Sequence, residues 1–175
     1  MRGIERLAAV KRSTPAMAKA IPELPMDQTV LVRLLRITVF GMSDFFEPVL
    51  RGAGLSEHSF HVLCLLVAAE HGAASPSELS ELVGTTRGNM TRILTQLEQQ
   101  GLAEREIQAR DARRHSIKIT AAGRDAVDST VPQMIEPLLE GFGELNKDER
   151  AQLDRLLRKL ILSFDKNARA LGAVA

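Results

Sequence analysis

One face of a short predicted helix, from Thr85 or Thr86 to about Gln100, carries arginine, asparagine, glutamine and threonine side chains. Arginine can pair with guanine, asparagine and glutamine with adenine, and threonine can contact a thymine methyl group or a phosphate. No acidic residue occurs from Thr85 to Gln96, which suits an approach to polyanionic DNA. A polar face of this kind is also typical of any helix that packs on a core. The candidate DNA contacts on or beside it are Thr86, Gly88, Asn89, Thr91, Arg92, Thr95 and Gln96. Arg87 is also a candidate, since it projects closer to the buried side but lies near enough to the helix start to reach a phosphate.

A helix-turn-helix would position this face. Ser75 is a predicted helix cap, Pro76 suits the first helical position, and Glu78 completes a capping-box pattern. Gly84 then allows a sharp turn before the second helix. Apolar residues recur on the second helix at the spacing of one buried stripe. They are Met90, Ile93, Leu94 and Leu97.

A hairpin with an arginine-rich tip is predicted after the second helix, with strands over Leu102–Gln108 and His115–Thr120. The tip holds three arginines and one aspartate and is therefore net positive. An arginine at such a tip can enter an A·T-rich minor groove, where the negative potential is strongest. The alternative is an ordinary charged surface turn. The candidate contacts are Arg110, Asp111, Arg113 and Arg114.

These motifs resemble the MarR family of bacterial winged helix-turn-helix regulators, from about Val30 to Phe164. The stretch from Thr86 to Ile93 is similar to that of the EmrR subgroup, whose members repress multidrug efflux. The motifs that carry the family resemblance are Pro76-Ser77-Glu78-Leu79, Arg92, Leu97-Glu98, Gly101-Leu102, Asp111-x-Arg113 and Ile119-Thr120-x-x-Gly123.

The resemblance implies a homodimer on a pseudo-palindromic double-stranded DNA operator, with the second helix in the major groove. It places Arg113 in the minor groove with Asp111 as its acidic partner. The family often has a second arginine between them, where this chain has Ala112.

The resemblance also implies a ligand-responsive repressor of an efflux, stress or catabolic operon, released by a small lipophilic or phenolic compound. Binding of such an effector would favour a spacing of the two DNA-reading lobes that misfits successive major grooves. The residues expected at its pocket are Arg36, Met42, Phe45, Phe46, His58, Phe60 and His61.

The fold class expected is mainly α with a small β-hairpin wing. Residues 56–123 form the winged helix-turn-helix unit, between dimerisation helices over 28–55 and 124–175, in one MarR-type domain of 28–170. Residues 1–27 are a basic arm in which Pro15, Pro22 and Pro25 are expected to break any helix and leave the segment flexible. The arm would either touch DNA or the partner subunit or be an inert tail. Pro132 and Pro137 are expected to kink or break the helix that Thr120 caps.

Composition narrows the function classes. The chain has 175 residues, a net charge of +1 and 45% hydrophobic residues, so its DNA affinity must come from local basic patches. No secretory signal pattern and no stretch of ~20 apolar residues is present, so we expect a cytoplasmic protein without a membrane segment. A single cysteine suits a reducing compartment.

Other functions are weighed against this one. Cys64 and the pair His58 and His61 could serve a regulator that senses an oxidant or a metal, but a core thiol and surface histidines are the commoner interpretation. No metal or cofactor is expected. No enzyme motif occurs, and a protein-interaction module remains an alternative. Repressor and activator are not distinguished by the residues themselves.

Overall fold

The computed structural model describes residues 3–107 and 115–170, which are mainly helical, as the sequence predicts. Within these ranges no helix is long and apolar enough to cross a membrane. The chain divides into two compact units between Ile135 and Glu136. The elements are α1 (Gly3–Ala20), α2 (Met26–Gly52), α3 (Glu57–Ala68), a 3-10 turn (Glu70–Gly72), β1 (Ala73–Ala74), α4 (Pro76–Val83), α5 (Arg87–Gln99), β2 (Ala103–Ile107), β3 (His115–Ile119), α6 (Ala121–Gly141) and α7 (Lys147–Ala170).

The main core lies in the first unit, where α3, α4 and α5 pack with the sheet. Aliphatic side chains dominate this core, because the chain has no tryptophan or tyrosine. The whole predicted stripe of α5 is buried in it, which leaves the polar face of α5 on the outside. Fully buried members include Val62, Leu63, Leu66, Leu79, Leu97 and Ile117.

The sheet has three antiparallel strands in the order β1-β3-β2. Strands β2 and β3 form the predicted hairpin, in register from Ala103 opposite Ile119 to Ile107 opposite His115. Strand β1 adds Ala73 and Ala74 to the other edge of β3, which the sequence did not predict. Two alanines show neither the alternation nor the β-branched content by which a strand is recognised.

The prediction that prolines prevent a helix in the N-terminal segment is wrong. Helix α1 covers Gly3–Ala20 with Pro15 inside it, and only Pro22 and Pro25 lie in the connection to α2. A proline inside a helix removes one backbone N–H and costs about 3 kcal/mol. Contacts with α2 offset this cost, and they were not visible in the sequence.

Two arginines hold α1 against α2. The Arg6 guanidinium donates to Asp44 Oδ2 at 3.1 Å and lies 4.3 Å from the centre of the Phe40 ring. From the other side, Arg33 Nη2 of α2 donates to Ser13 Oγ at 2.7 Å. The segment expected to be a flexible arm is therefore a docked helix over most of its length.

Helix α6 is also continuous across its prolines, so the expected break at Pro132 or Pro137 is wrong. Pro132 offers no N–H to the Asp128 carbonyl oxygen. The side chain of Gln133 makes an additional bond in this turn, from Nε2 to the Ser129 carbonyl oxygen at 2.9 Å. Thr120 caps the helix as predicted, since its hydroxyl oxygen accepts from the Gly123 N–H at 3.0 Å.

In the second unit, α7 begins with a reciprocal cap. Asn146 Oδ1 accepts from the Glu149 N–H at 3.0 Å, and Glu149 Oε2 accepts from the Asn146 N–H at 2.8 Å. The apolar stripe of α7 is exposed in the single chain. Its members are Leu153, Leu156, Leu157, Leu160, Ile161 and Phe164.

Candidate nucleic-acid interface

The turn between α4 and α5 has the geometry that the sequence predicts. Ser75 Oγ accepts from the Glu78 N–H at 3.2 Å and begins α4. Gly84 ends it in the left-handed conformation, with φ +72°, where a side chain would be strained. Thr86 Oγ1 then accepts from the Asn89 N–H at 3.2 Å and begins α5. Local capping therefore fixes where α5 begins and how it leaves the turn.

The polar face of α5 points away from the core. Met90, Ile93, Leu94 and Leu97 are each at most 3% exposed, so the opposite side must face outward. Two of the predicted contacts on that side, Asn89 and Gln96, are half-buried. The exposed ones are Thr86, Arg87, Gly88, Thr91, Arg92 and Thr95.

Hydrogen bonds connect three side chains along this face. Asn89 Nδ2 donates to Thr85 Oγ1 at 2.7 Å. Arg92 Nη2 donates to Asn89 Oδ1 at 3.1 Å. The sequence predicted the surface but not these bonds, because spacing alone does not reveal which rotamers meet.

The charge on this face is positive. Glu98 is the first acidic residue after Thr85, and its Oε1 accepts from Arg105 Nε of β2 at 2.7 Å. This ion pair neutralises the carboxylate that lies nearest in sequence to the polar face. It also ties the end of α5 to the hairpin.

The hairpin arms are described, but its tip is not. Within the arms, Lys118 Nζ lies 3.4 Å from Glu106 Oε1 across the strands. The predicted tip contacts lie outside the described residues. They are Arg110, Asp111, Arg113 and Arg114.

The predicted effector pocket is brought together only in part. Phe46 forms a buried cluster with Leu50 of α2 and Met134 of α6, and Phe60 of α3 packs against it. Phe45 meets Phe46 edge to face, with ring centres 5.2 Å apart, but is itself exposed. The remaining predicted pocket residues are exposed and take no part in this buried cluster: Arg36, Met42, His58 and His61.

A cleft of about 300 Å³ lies at the end of α2, beside the start of α3. Sequence reasoning missed it, because it depends on the turn at Gly54 that brings the two helices together. The Ser43 hydroxyl donates to Glu57 Oε2 across it at 2.6 Å. Its lining residues are Ser43, Asp44, Glu47, Leu50, Arg51, Leu55, Ser56 and Glu57.

The groups considered for metal or oxidant sensing are not arranged as a site. Among the described residues, no three His, Cys, Asp or Glu side chains come close enough to hold a metal ion. Cys64 is half-buried against the main core, and burial raises the pKa of its thiol. A raised pKa lowers the thiolate fraction on which oxidation depends.

Comparisons with known proteins agree with this geometry. The sequence profile of the MarR family matches residues 55–115. Transcriptional repressor MprA of Escherichia coli is 28% identical over 144 residues, which are 82% of either chain.

Two solved structures extend the match. A MarR C80S mutant from Escherichia coli, solved in complex with operator DNA, has a TM-score of 0.70 and 25% identity over 82% of this chain and 96% of that one. BpsR of Bordetella bronchiseptica was studied for the regulation of its DNA binding by 6-hydroxynicotinic acid. Its structure has a TM-score of 0.67 and 25% identity, over 74% of this chain and 97% of that one. With its capped helix-turn-helix, its hairpin wing and these relatives, the chain belongs to the MarR family of DNA-binding winged-helix transcriptional regulators.

Proposed function

We propose that the protein is a ligand-responsive repressor that binds a pseudo-palindromic operator as a homodimer, with α5 in the major groove. The observation that carries this proposal is the outward face of α5. It presents the exposed side chain of Arg92, with exposed Arg87 at the first turn, in a stretch that has no acidic residue from Thr85 to Leu97 and on a helix capped at its start. Arg92 would read a guanine, and Thr86 and Arg87 would contact phosphates near the positive end of the helix dipole.

Gly88 supports the same placement. A glycine in a helix is less stable than alanine by about 0.5–1 kcal/mol, yet among the described residues, apart from its chain neighbours and the backbone of its own helix, nothing lies within 4 Å of a Cβ added at Gly88. Its φ does not require glycine either. Packing among the described residues therefore gives no reason for a glycine here, whereas close approach of a DNA backbone to the exposed first turn of α5 would.

The wing would contact the adjacent minor groove. Of the four predicted tip contacts, Arg113 is proposed to enter the groove and Asp111 to orient it, with Arg110 and Arg114 near the phosphates. The hairpin that carries the tip is joined to α5 through Arg105 and Glu98. The contacts of the wing with the minor groove and those of α5 with the major groove would then form together.

Dimerisation is proposed through the terminal helices. The exposed stripe of α7 is too apolar to be an ordinary solvated face, since six large aliphatic or aromatic residues are at least 37% exposed. Contiguous apolar surface of this kind marks interaction sites. A second copy of this chain is the proposed partner, as an operator with two half-sites requires two reading helices.

The effector is proposed to be a small lipophilic or phenolic compound. Phe46 and Phe60 supply an apolar wall between α2, α3 and α6, and His58 or Arg36 would supply the polar anchor after a side-chain movement. BpsR, whose DNA binding is regulated by 6-hydroxynicotinic acid, supports an aromatic effector by analogy. A coupling of about 1–3 kcal/mol between effector and operator would suffice to release the DNA. The regulated operon is proposed to serve efflux, stress or catabolism.

An electrophoretic mobility shift tests this proposal. The probe is the DNA upstream of the protein's own gene and its neighbours, with a shuffled fragment of equal length as control. A shift specific to the native fragment, and reversed by salicylate or a lipophilic uncoupler, is expected. A shift unaffected by a broad panel of such compounds would contradict the proposed class of effector. Equal binding to the shuffled fragment would contradict the proposed sequence-specific binding to an operator.

A further inference from the structure

Asn89 has both ends of its side-chain amide engaged, one by the turn before α5 and one by α5 itself. Its Nδ2 donates to Thr85 Oγ1 at 2.7 Å, and its Oδ1 accepts from Arg92 Nη2 at 3.1 Å. The orientation of the amide follows from chemistry, because a guanidinium can only donate and must therefore face the amide oxygen. The threonine hydroxyl then accepts from the nitrogen.

An asparagine that reads adenine needs the same two groups for the base, one as donor and one as acceptor. The amide of Asn89 keeps a second N–H and a second lone pair, but its bonds to Thr85 and Arg92 fix its orientation along the helix and not toward a base. Arg92 has more to offer a base, since Asn89 occupies only one of its several N–H groups. The others stay available for guanine O6 and N7.

We propose that Asn89 does not read a base but is a positioning residue that holds the Arg92 guanidinium ready for guanine, with Thr85 as its anchor. This inference rests on the proposed placement of α5 in the major groove. Arginine otherwise has many rotamers to lose on binding, and ordering it beforehand improves affinity. Half-burial of Thr85 and Asn89 suits a support below the reading surface, while Arg92 is exposed above it.

A double-mutant cycle tests the inference. Operator affinity and the base preference at every half-site position are measured for Asn89→Ala, Arg92→Ala and the double variant. We expect Asn89→Ala to weaken binding about threefold to tenfold, as for one side chain losing its preorganisation. It should relax preference at the same base pair as Arg92→Ala and have little further effect once Arg92 is gone.

Two further variants keep the test specific. Thr85→Val removes the anchor and leaves the Asn89 amide intact, so it should weaken preference at the Arg92 position too. Thr95→Ala changes an exposed position on the same face. Its effect on the free energy of operator binding should add to that of Asn89→Ala without coupling. Thermal unfolding of every variant shows whether the helix is retained.

Three outcomes are distinguishable. Loss of preference at a different base pair, or an undiminished effect of Asn89→Ala in the Arg92→Ala background, would overturn the positioning role and make Asn89 a reader. If Thr85→Val leaves the base preference at the Arg92 position unchanged, the role of Thr85 as the anchor of Asn89 is wrong. A wild-type protein that binds DNA without any sequence preference would overturn the proposed function, and this inference with it.

Discussion

The Thr120 hydroxyl donates to the Gly101 carbonyl oxygen at 2.7 Å, across the short distance between the end of β3 and the turn that follows α5. The same oxygen accepts from the Gly123 N–H at 3.0 Å and caps α6. One side chain thus joins the turn after α5, the end of β3 and the start of α6. Sequence reasoning assigned Thr120 only the cap.

Thr120→Val should lower the free energy of unfolding by about 1–3 kcal/mol, because it removes a cap and a hydrogen bond between elements together. Urea unfolding measures the change. Thr38→Val is the matched control, since the Thr38 hydroxyl makes a local bond to Leu34 on an exposed part of α2. Equal effects of the two substitutions would contradict the role given to Thr120.

Gly88→Ala should separate stability from DNA binding. We expect an unchanged or higher free energy of unfolding, by up to about 1 kcal/mol, and weaker operator binding because the added methyl group lies where DNA is proposed to approach. Gly123→Ala is the contrasting variant. Its Cβ would overlap the Leu102 carbonyl oxygen and lie 2.8 Å from Ile119 Cγ1, so it should lower stability. Undiminished operator binding by Gly88→Ala would contradict close approach at this turn.

Arg6→Ala should loosen α1 from α2, because it removes both the Asp44 ion pair and the contact with the Phe40 ring. Amide hydrogen exchange should become faster across α1 and stay unchanged in α5. Arg12→Ala, at an exposed position of the same helix, is the control. If amide hydrogen exchange in α1 is as fast in the wild type as in Arg6→Ala, the conclusion that Arg6 docks α1 on α2 is wrong.

Cys64 should react slowly with iodoacetamide at neutral pH. Burial raises the pKa of its thiol, so at any given pH the thiolate fraction is smaller than in an exposed cysteine. The rate should rise with pH and reach half its plateau above the midpoint of a cysteine peptide measured in parallel. A midpoint at or below that of the peptide would contradict a packed thiol and favour the oxidant-sensing alternative.

The parts of the fold encoded in short stretches were predictable from the sequence. The caps at Ser75 and Thr86, the left-handed glycine at 84 and the stripe of α5 depend on neighbours within a few residues, and the structure has all of them. Helix α1 was missed because the Pro15 signal is local, whereas the contacts of Arg6 and Arg33 that offset it come from α2.

The candidate site was predictable as a surface but not as a mechanism. Spacing placed Asn89 and Arg92 on one face, yet only the three-dimensional structure shows that they are bonded to each other. The same limit applies to the cleft beside α3, whose walls come together through a turn and not through a repeat in the sequence.

Fluorescence anisotropy at several salt concentrations tests most directly whether α5 reads the operator. It compares how the wild type and Arg92→Ala bind the native and the shuffled upstream DNA. We predict that the wild type prefers the native fragment, that binding of both fragments weakens steeply with salt, and that Arg92→Ala loses roughly 1–3 kcal/mol for the native fragment alone. An Arg92→Ala protein that folds and keeps the full wild-type preference would show that α5 does not read the operator through this face.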